Sequence, residues 1–206
     1  MQNSRARPGF LEKITVSLEM ENLLRYIHSL TPFSEESWQT LQPALTEMEL
    51  QKDEFLLEAG KVCHALYFID SGFCRAWYNK DGQDINTAFF FENDIATNIS
   101  SLATGEKSAF SIQAAEQLSV VRFDVKTLRE VSAKDPAIDA LGRKCLQLIA
   151  AKQEKHAAMF KLMTAQERYE YLQQQDGRLL QRVSLTQLSS YLGVARETLS
   201  RIRSRK

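Results

Sequence analysis

The chain has 206 residues, enough to bury the core of one large domain or of two modest ones. Its hydrophobic fraction of 44% and charged fraction of 25% are typical of a globular protein. No apolar run approaches the ~18 residues that span a bilayer, and the N-terminus lacks the apolar core of a secretory signal. These features exclude an integral membrane protein, and we expect no membrane partner.

Charge is distributed unevenly along the chain. Residues 161–206 carry nine Lys or Arg against four Asp or Glu, which leaves 17 against 22 in residues 1–160. The C-terminal part is therefore basic although the formal net charge of the whole chain is zero. This asymmetry predicts a polyanionic partner for the C-terminal part.

The three cysteines are far apart in the sequence, at Cys63, Cys74 and Cys145. Their spacing predicts neither a disulfide framework nor a CxxC metal site, so we expect a cytoplasmic protein. Residues 1–19 are polar and aperiodic, and we expect them to form a loose N-terminal extension ahead of Met20.

The first elements are predicted to be two short helices. Apolar residues recur at helical spacing over 20–30, and Ser34 is placed to cap a second helix that buries Trp38, Leu41 and Leu45. From about Gln51 the pattern changes to short apolar or alternating runs closed by turn residues, at intervals of roughly ten residues. This spacing predicts an antiparallel β jelly roll over about 51–124.

Helical periodicity returns after Asp124. A short helix precedes a long one over 136–163, which at 1.5 Å per residue is about 40 Å long. Packing on its own β domain is one interpretation of this helix, but its length exceeds what a small roll can cover. We therefore predict a parallel helix pair with a second copy, although Lys152 and Lys155 interrupt the seam. The predicted interface residues are Ile138, Leu141, Cys145 and Leu148.

A capping box marks the start of the last domain. Thr164 stands three residues before Glu167, so a new helix is expected where the long one ends. The predicted organisation is an extension (1–19), a β-roll effector domain (20–135), a dimerisation helix (136–163) and a helix-turn-helix DNA-binding domain (164–206). The fold class is α+β, with the jelly roll preceding the helical domain.

The stretch LGVARETLSRIR, residues 192–203, has the pattern of a helix-turn-helix hairpin. Leu188 and Leu192 are expected to face inward on the first helix, Gly193 to make the turn, and Leu199 and Ile202 to bury the second helix. One local rule is broken, since Ala195 occupies a capping position where Ser or Thr is stronger.

Polar residues between these buried positions share the outward face of the second helix. Such a face lies in the major groove when the motif binds DNA, where arginine can donate to guanine and glutamate can accept from cytosine. An ordinary helical hairpin with a solvated basic face is the alternative. The predicted DNA-binding residues are Arg196, Glu197, Ser200, Arg201, Arg203 and, on the first helix, Thr186.

The order of roll, long helix and helix-turn-helix resembles the Crp/Fnr superfamily over about residues 20–206. LEAGKVCHALYFIDSGFCRAWY is similar to the first half of the family's roll, and LGVARETLSRIR to its recognition helix. The resemblance implies a homodimeric transcription regulator that binds an inverted repeat in double-stranded DNA and works with RNA polymerase. It also implies a two-stranded wing, to which only GRLLQRVS, before Leu185, could contribute here.

Cyclic-AMP-binding members of the family carry a Gly-Glu pair followed by Arg-Ser or Arg-Thr. The corresponding positions here resemble Asn93-Asp94 and Lys107-Ser108. Lysine lacks the planar fork of arginine, and the loss of glycine removes a close backbone approach. We expect a vestigial pocket that does not bind cyclic AMP, with a cyclic-nucleotide-responsive regulator as the alternative.

No other cofactor is predicted. An iron–sulfur cluster needs about four cysteines, and this chain has three. Each of the three histidines lacks a sequence context that would favour it as an axial haem ligand. A jelly-roll metalloenzyme of the cupin type is a second alternative, but only His64 falls within the roll. We expect no enzymatic activity. A cyclic-nucleotide-binding module of a signalling protein is a third alternative, against which the terminal motif argues.

Overall fold

The computed structural model describes residues 20–175 and 177–204, and the predicted extension lies outside the described residues. Helix α1 spans Glu21–Leu30 and helix α2 spans Glu35–Leu41, followed by a 3-10 turn over Gln42–Ala44. Ser34 caps α2 as predicted, its hydroxyl accepting from the backbone N–H of Ser37 at 3.1 Å. Leu45, predicted to lie in this helix, instead begins the first strand, because Pro43 follows the end of α2.

Eight strands form the predicted roll, which begins at residue 45 rather than 51. They are β1 (Leu45–Leu50), β2 (Phe55–Leu57), β3 (Ala65–Ser71), β4 (Cys74–Lys80), β5 (Gln83–Phe90), β6 (Ile95–Ala96), β7 (Ser111–Ala114) and β8 (Leu118–Asp124). Two four-stranded antiparallel sheets, ordered β1-β8-β3-β6 and β2-β7-β4-β5, make up the roll. A short helix that the sequence did not predict, α3 (Ile99–Thr104), lies between β6 and β7.

Two cores stabilise the roll. The first fills the space between the sheets with side chains such as Tyr67, Ile69 and Ile112. The second lies between the outer face of the β1-β8-β3 sheet and the helices around it, and it includes Phe68, Trp38 and Leu23. Both sheets are thus covered by apolar contacts within the chain, as a two-layer domain requires.

The remaining elements are helical. Helix α4 spans Val125–Ser132 and the long helix α5 spans Pro136–Leu162, with Asp135 capping its first turn by accepting from Ala137 N–H at 2.8 Å. Four helices follow: α6 (Ala165–Gln175), α7 (Gly177–Arg182), α8 (Leu185–Leu192) and α9 (Arg196–Ser204). The stretch considered for a wing is therefore helix α7, and no strand occurs in the described residues beyond Asp124.

A third core joins the helical domain to the roll. Phe73, Phe89 and Phe91 of the roll lie in one cluster with Leu188 and Leu192 of α8. The two domains share this apolar core and are not connected by the hinge at Met163 alone. This arrangement determines where the C-terminal hairpin sits on the molecule.

Candidate nucleic-acid interface

Helices α8 and α9 form the predicted helix-turn-helix hairpin. The Ser184 hydroxyl caps α8 by accepting from Gln187 N–H at 3.3 Å, and Gly193 ends it with a left-handed φ of 69°. Leu188, Leu192 and Leu199 are fully buried, as the sequence predicts. The hairpin is therefore held by a leucine core that leaves the opposite face of α9 free.

Every predicted contact residue on α9 is exposed to solvent. Arg201 Nε donates to the carbonyl oxygen of Glu197 at a marginal 3.4 Å, one turn earlier. Within 20–175 and 177–204, no ion pair engages the side chains of the three arginines on this helix. The exposed set is Arg196, Glu197, Ser200, Arg201 and Arg203.

Thr186 lies elsewhere. It is exposed, but with Gln187 and Ser190 it borders a cleft between α8 and the β5 residues Asp84 and Asn86. In this arrangement Thr186 faces the edge of the roll, and the structure does not bring it together with the α9 set.

Arg168, on α6, holds the hairpin to the end of the long helix. Its Nη1 donates to Leu192 O at 2.6 Å and its Nε to Met163 O at 3.1 Å, while its guanidinium lies 4.7 Å from the centre of the Phe160 ring. The carbonyl of Leu192 ends α8, so Arg168 satisfies a group that the helix cannot. No sequence pattern pointed to this residue, because its partners are backbone atoms.

The capping box at the start of α6 forms as predicted. Thr164 N–H donates to Glu167 Oε2 at 2.7 Å, and Glu167 N–H donates to Thr164 Oγ1 at 3.3 Å. The Thr164 hydroxyl also donates to Glu167 Oε2, at 2.8 Å, and the two bonds from Thr164 to the carboxylate lower the pKa of Glu167. The predicted boundary near Thr164 therefore falls at the break between α5, which ends at Leu162, and α6, which begins at Ala165.

Polar contacts reinforce the attachment of the helical domain to the roll. The Ser190 hydroxyl donates to Asp84 O at 2.8 Å and accepts from Asn86 N–H at 3.0 Å, and so pairs with β5 as a strand would. Arg182, on α7, forms ion pairs with Glu92 and Glu116 of the roll. The helix-turn-helix hairpin is thus anchored to the roll through α7 and α8, while α9 faces solvent.

The four residues of the predicted roll pocket make different contacts. Asp94 Oδ1 accepts from Lys152 Nζ at 2.8 Å, and Asn93 and Asp94 line a cavity against α5. Ser108 pairs through its backbone with Lys61 and Gly60, and Lys107 forms a bridge with Val62. The cavity against α5 does not include Lys107 or Ser108 among its lining residues, so a pocket shared by all four stays a prediction.

The residue that faces Ser108 is Asn98, which the sequence analysis missed. Asn98 Nδ2 donates to Ser108 Oγ at 2.8 Å, and its Oδ1 caps α3 by accepting from Ser101 N–H at 3.1 Å. A capping residue before Ile99 was the available signal, but helix α3 is too short to show periodicity.

Two of the predicted dimer residues are buried in their own chain. Ile138 is 1% exposed and Leu141 is 6% exposed, and both lie in the core with α1 and β8. Cys145 is half-buried and packs against the same core, and burial raises its thiol pKa to about 11. Of the four predicted interface residues, only Leu148, 42% exposed, is open to a second chain. An interface on α5 would therefore lie further along the helix than predicted.

The described residues contain neither a membrane-spanning helix nor a cluster of metal ligands. None of the described helices is long and apolar enough to cross a membrane. No group of three or more His, Cys, Asp or Glu side chains that could hold a metal ion occurs in residues 20–175 and 177–204.

Comparisons with known proteins agree with this architecture. Residues 47–135 match the family model of the cyclic nucleotide-binding domain. FixK2 from Bradyrhizobium japonicum is 24% identical with a TM-score of 0.65, and the alignment covers 78% of this chain and 83% of FixK2. No curated protein sequence matches the chain.

Two further solved structures are similar. The c-di-GMP responsive global regulator CLP from Xanthomonas campestris is 14% identical with a TM-score of 0.62, covering 84% of this chain and 91% of CLP. A protein from Eubacterium rectale assigned to the Crp/Fnr family of transcriptional regulators is 11% identical with a TM-score of 0.64, covering 84% and 83%. Residues 47–135 are thus similar to the cyclic nucleotide-binding domain, and the described chain has the fold of these Crp/Fnr structures, as its sequence predicts.

Proposed function

We propose that this protein is a transcription regulator that binds specific sequences in double-stranded DNA through α9. The exposed set of three arginines and one glutamate on a buried leucine hairpin carries this proposal. Arginine donating to guanine and glutamate accepting from cytosine distinguish base pairs in the major groove. The basic excess of residues 161–206 supports contact with phosphates as well.

The proposed regulator acts as a homodimer through α5. An outward stripe on this helix recurs at spacings of three and four, which is the heptad pattern of a coiled coil. Leu162 is 80% exposed and Leu148 is 42% exposed, so both side chains are accessible to a second chain. The stripe consists of Leu148, Ala151, Lys155, Ala158 and Leu162.

Two-fold symmetry in the protein implies two-fold symmetry in the DNA site. We infer an inverted repeat whose half-sites lie about one helical turn apart. RNA polymerase is the expected protein partner and the cytoplasm the expected location, as for a regulator of this fold.

The roll is proposed to act without cyclic AMP. Buried Ser108 uses its hydroxyl within the chain, donating to Phe110 O at 2.6 Å and accepting from Asn98 Nδ2 at 2.8 Å. The family match over residues 47–135 favours a second candidate, a regulator that responds to a cyclic nucleotide. CLP, a protein of similar fold, is responsive to c-di-GMP, which supports this second candidate.

Selection of bound fragments from a random DNA pool tests the function. The expected result is an enriched inverted repeat that is lost with an Arg196→Ala/Arg201→Ala variant. Binding of all fragments with equal affinity would contradict the proposal, because phosphate contacts alone carry no sequence information.

A further inference from the structure

A cavity of about 340 Å³ lies where the roll, the long helix and the DNA-binding domain meet. Its volume is within the range of about 300–1,000 Å³ that small-molecule sites occupy. The roll supplies Phe89 and Asp94, α5 supplies Lys152 and His156, and α8 supplies Tyr191. Every one of the three modules therefore contributes a wall.

One wall of this cavity carries a polar atom without a partner. His156 Nε2 is buried and makes no hydrogen bond within the described chain. Burial, reinforced by Lys152, lowers the pKa of His156, so its imidazole is neutral at neutral pH. A buried polar atom without a partner is uncommon in a folded protein, and here it borders a space large enough for a ligand.

Aromatic rings surround the imidazole. The ring centres of His156 and Tyr191 are 5.4 Å apart, those of His156 and Phe160 are 4.9 Å apart, and Tyr191 meets the edge of Phe89 at 5.3 Å. Rings at these separations favour a planar aromatic group placed beside them. Burial also raises the pKa of Tyr191 to about 12, which keeps its phenol neutral.

The charges around the cavity favour an anion. Lys152 and Lys155 border it, and Asp94 is the single carboxylate among its lining residues. Lys152 Nζ already pairs with Asp94 and lies 5.7 Å from the centre of the Phe90 ring, whereas Lys155 is exposed and has no ion pair in the described part of the chain. One positive charge is thus left over at the mouth.

We propose that this cavity binds a small aromatic carboxylate, with its ring beside His156 and Tyr191 and its carboxylate held by Lys152 and Lys155. His156 Nε2 gains its missing hydrogen bond from the same ligand. Because Phe89 belongs to the roll and Tyr191 to the DNA-binding domain, the ligand stabilises the docked arrangement of the two. The effect of this stabilisation on DNA binding is the one part of the proposal that rests on the proposed function.

Calorimetric titration of the full chain with 2-naphthoate, in the absence of DNA, tests the site. Saturable binding is expected, with an affinity at least about tenfold higher than that of the uncharged 2-naphthamide. His156→Phe and Lys152→Met should each weaken 2-naphthoate binding about tenfold. Lys144→Met removes an exposed lysine of the same helix outside the cavity and should leave binding unchanged.

Circular dichroism of each variant shows that it is folded before it is titrated. The proposal is overturned by the absence of saturable heat up to about a millimolar, or by equal binding of acid and amide. Binding that all variants retain would place the ligand elsewhere, for example in the larger apolar cleft beside α4, and would also overturn it. Cyclic AMP binding that Lys152→Met abolishes would make this a nucleotide site instead. None of these outcomes depends on DNA recognition.

Discussion

The Nη1 atom of Arg182, on α7, lies 2.9 Å from each carboxylate oxygen of Glu92 in the roll. The same guanidinium lies over the rings of Phe73 and Phe91, at 5.1 and 5.4 Å from their centres. Glu92 Oε1 also accepts from Gly72 N–H at 3.1 Å. This ion pair therefore helps to hold the C-terminal helical domain to the roll at the edge of their shared apolar core.

Replacing Arg182 by Met should destabilise this attachment. The variant removes the hydrogen bonds of Arg182 to the part-buried Glu92 and its ion pair with Glu116, while Gly72 N–H still donates to Glu92. Hydrogen bonds to charged groups are worth about 1.5–3 kcal/mol. We expect a loss of about 1–2 kcal/mol in the free energy of urea unfolding. Arg143→Met is the matched control, because its pair with Asp139 is exposed and should contribute less than about 1 kcal/mol. Equal losses in both variants would contradict a specific role for Arg182.

The same pair should make the attachment sensitive to acid. Burial by itself would raise the pKa of Glu92, but the hydrogen bonds from Arg182 and from backbone groups outweigh it and lower the pKa. The stabilisation is therefore complete above the unfolded-state pKa of about 4.3 and is lost as the pH falls through the lower folded value.

Comparison of the wild type with Glu92→Gln measures this contribution. Between about pH 5.5 and pH 3.5 the free energy of unfolding should fall less in the variant, since the other carboxylates titrate in both proteins. An identical fall would show that Glu92 does not contribute to the acid sensitivity.

Arg201→Ala tests the proposed contact with a base. Specific DNA binding should weaken by about 1–3 kcal/mol and the preference at one base position should relax, because Arg201 is exposed on the face of α9 opposite Leu199. Arg143→Ala, on α5, should bind like the wild type. If Arg201→Ala loses specific and random DNA binding equally, Arg201 contacts phosphate and not a base.

The sequence predicted the hairpin well because its signals are local. A turn glycine and three leucines at helical spacing depend on neighbours within about 20 residues, and Leu188, Gly193 and Leu199 lie as expected. The roll was similarly visible from turn residues. Its first strand was missed since Leu45 continues an apolar period across Pro43.

Tertiary contacts were harder to predict. The period of α5 indicates that Ile138 and Leu141 are buried, but not whether the burying surface belongs to the same chain or to another. The hydrogen bond between Asn98 and Ser108 was not predicted for a related reason, because helix α3 lies between the two residues in the chain and they share no local pattern. The contacts of Arg168 with Leu192 and of Arg182 with Glu92 follow no local pattern, since these partners lie 24 and 90 residues away.

The proposed dimer interface on α5 predicts which substitutions on this helix give a monomer. Leu148→Glu and Leu162→Glu each place a charge in the outward stripe and should give monomers at micromolar concentration, as measured by light scattering. Leu146→Glu is the control, because Leu146 is also exposed on α5, at 51%, but lies off the stripe. A monomeric wild type, or an equal effect of all three substitutions, would count against the proposed interface.

Cyclic AMP should not tighten DNA binding. A ligand shifts a conformational equilibrium only by its differential affinity for the two states, and a guanidinium fork would supply much of that affinity for a cyclic phosphate. Here the corresponding cation is the exposed Lys107, and the buried Ser108 hydroxyl beside it is already bonded to Asn98 and Phe110. Releasing it to a phosphate would leave Asn98 Nδ2 without its acceptor inside the roll, which costs about 1–3 kcal/mol.

Calorimetric titration up to about a millimolar detects binding as weak as about −4 kcal/mol. Saturable heat that Lys107→Ala abolishes would contradict the prediction and identify the roll as a cyclic-nucleotide sensor. If cyclic AMP gives no heat, any regulation through the roll depends on another ligand.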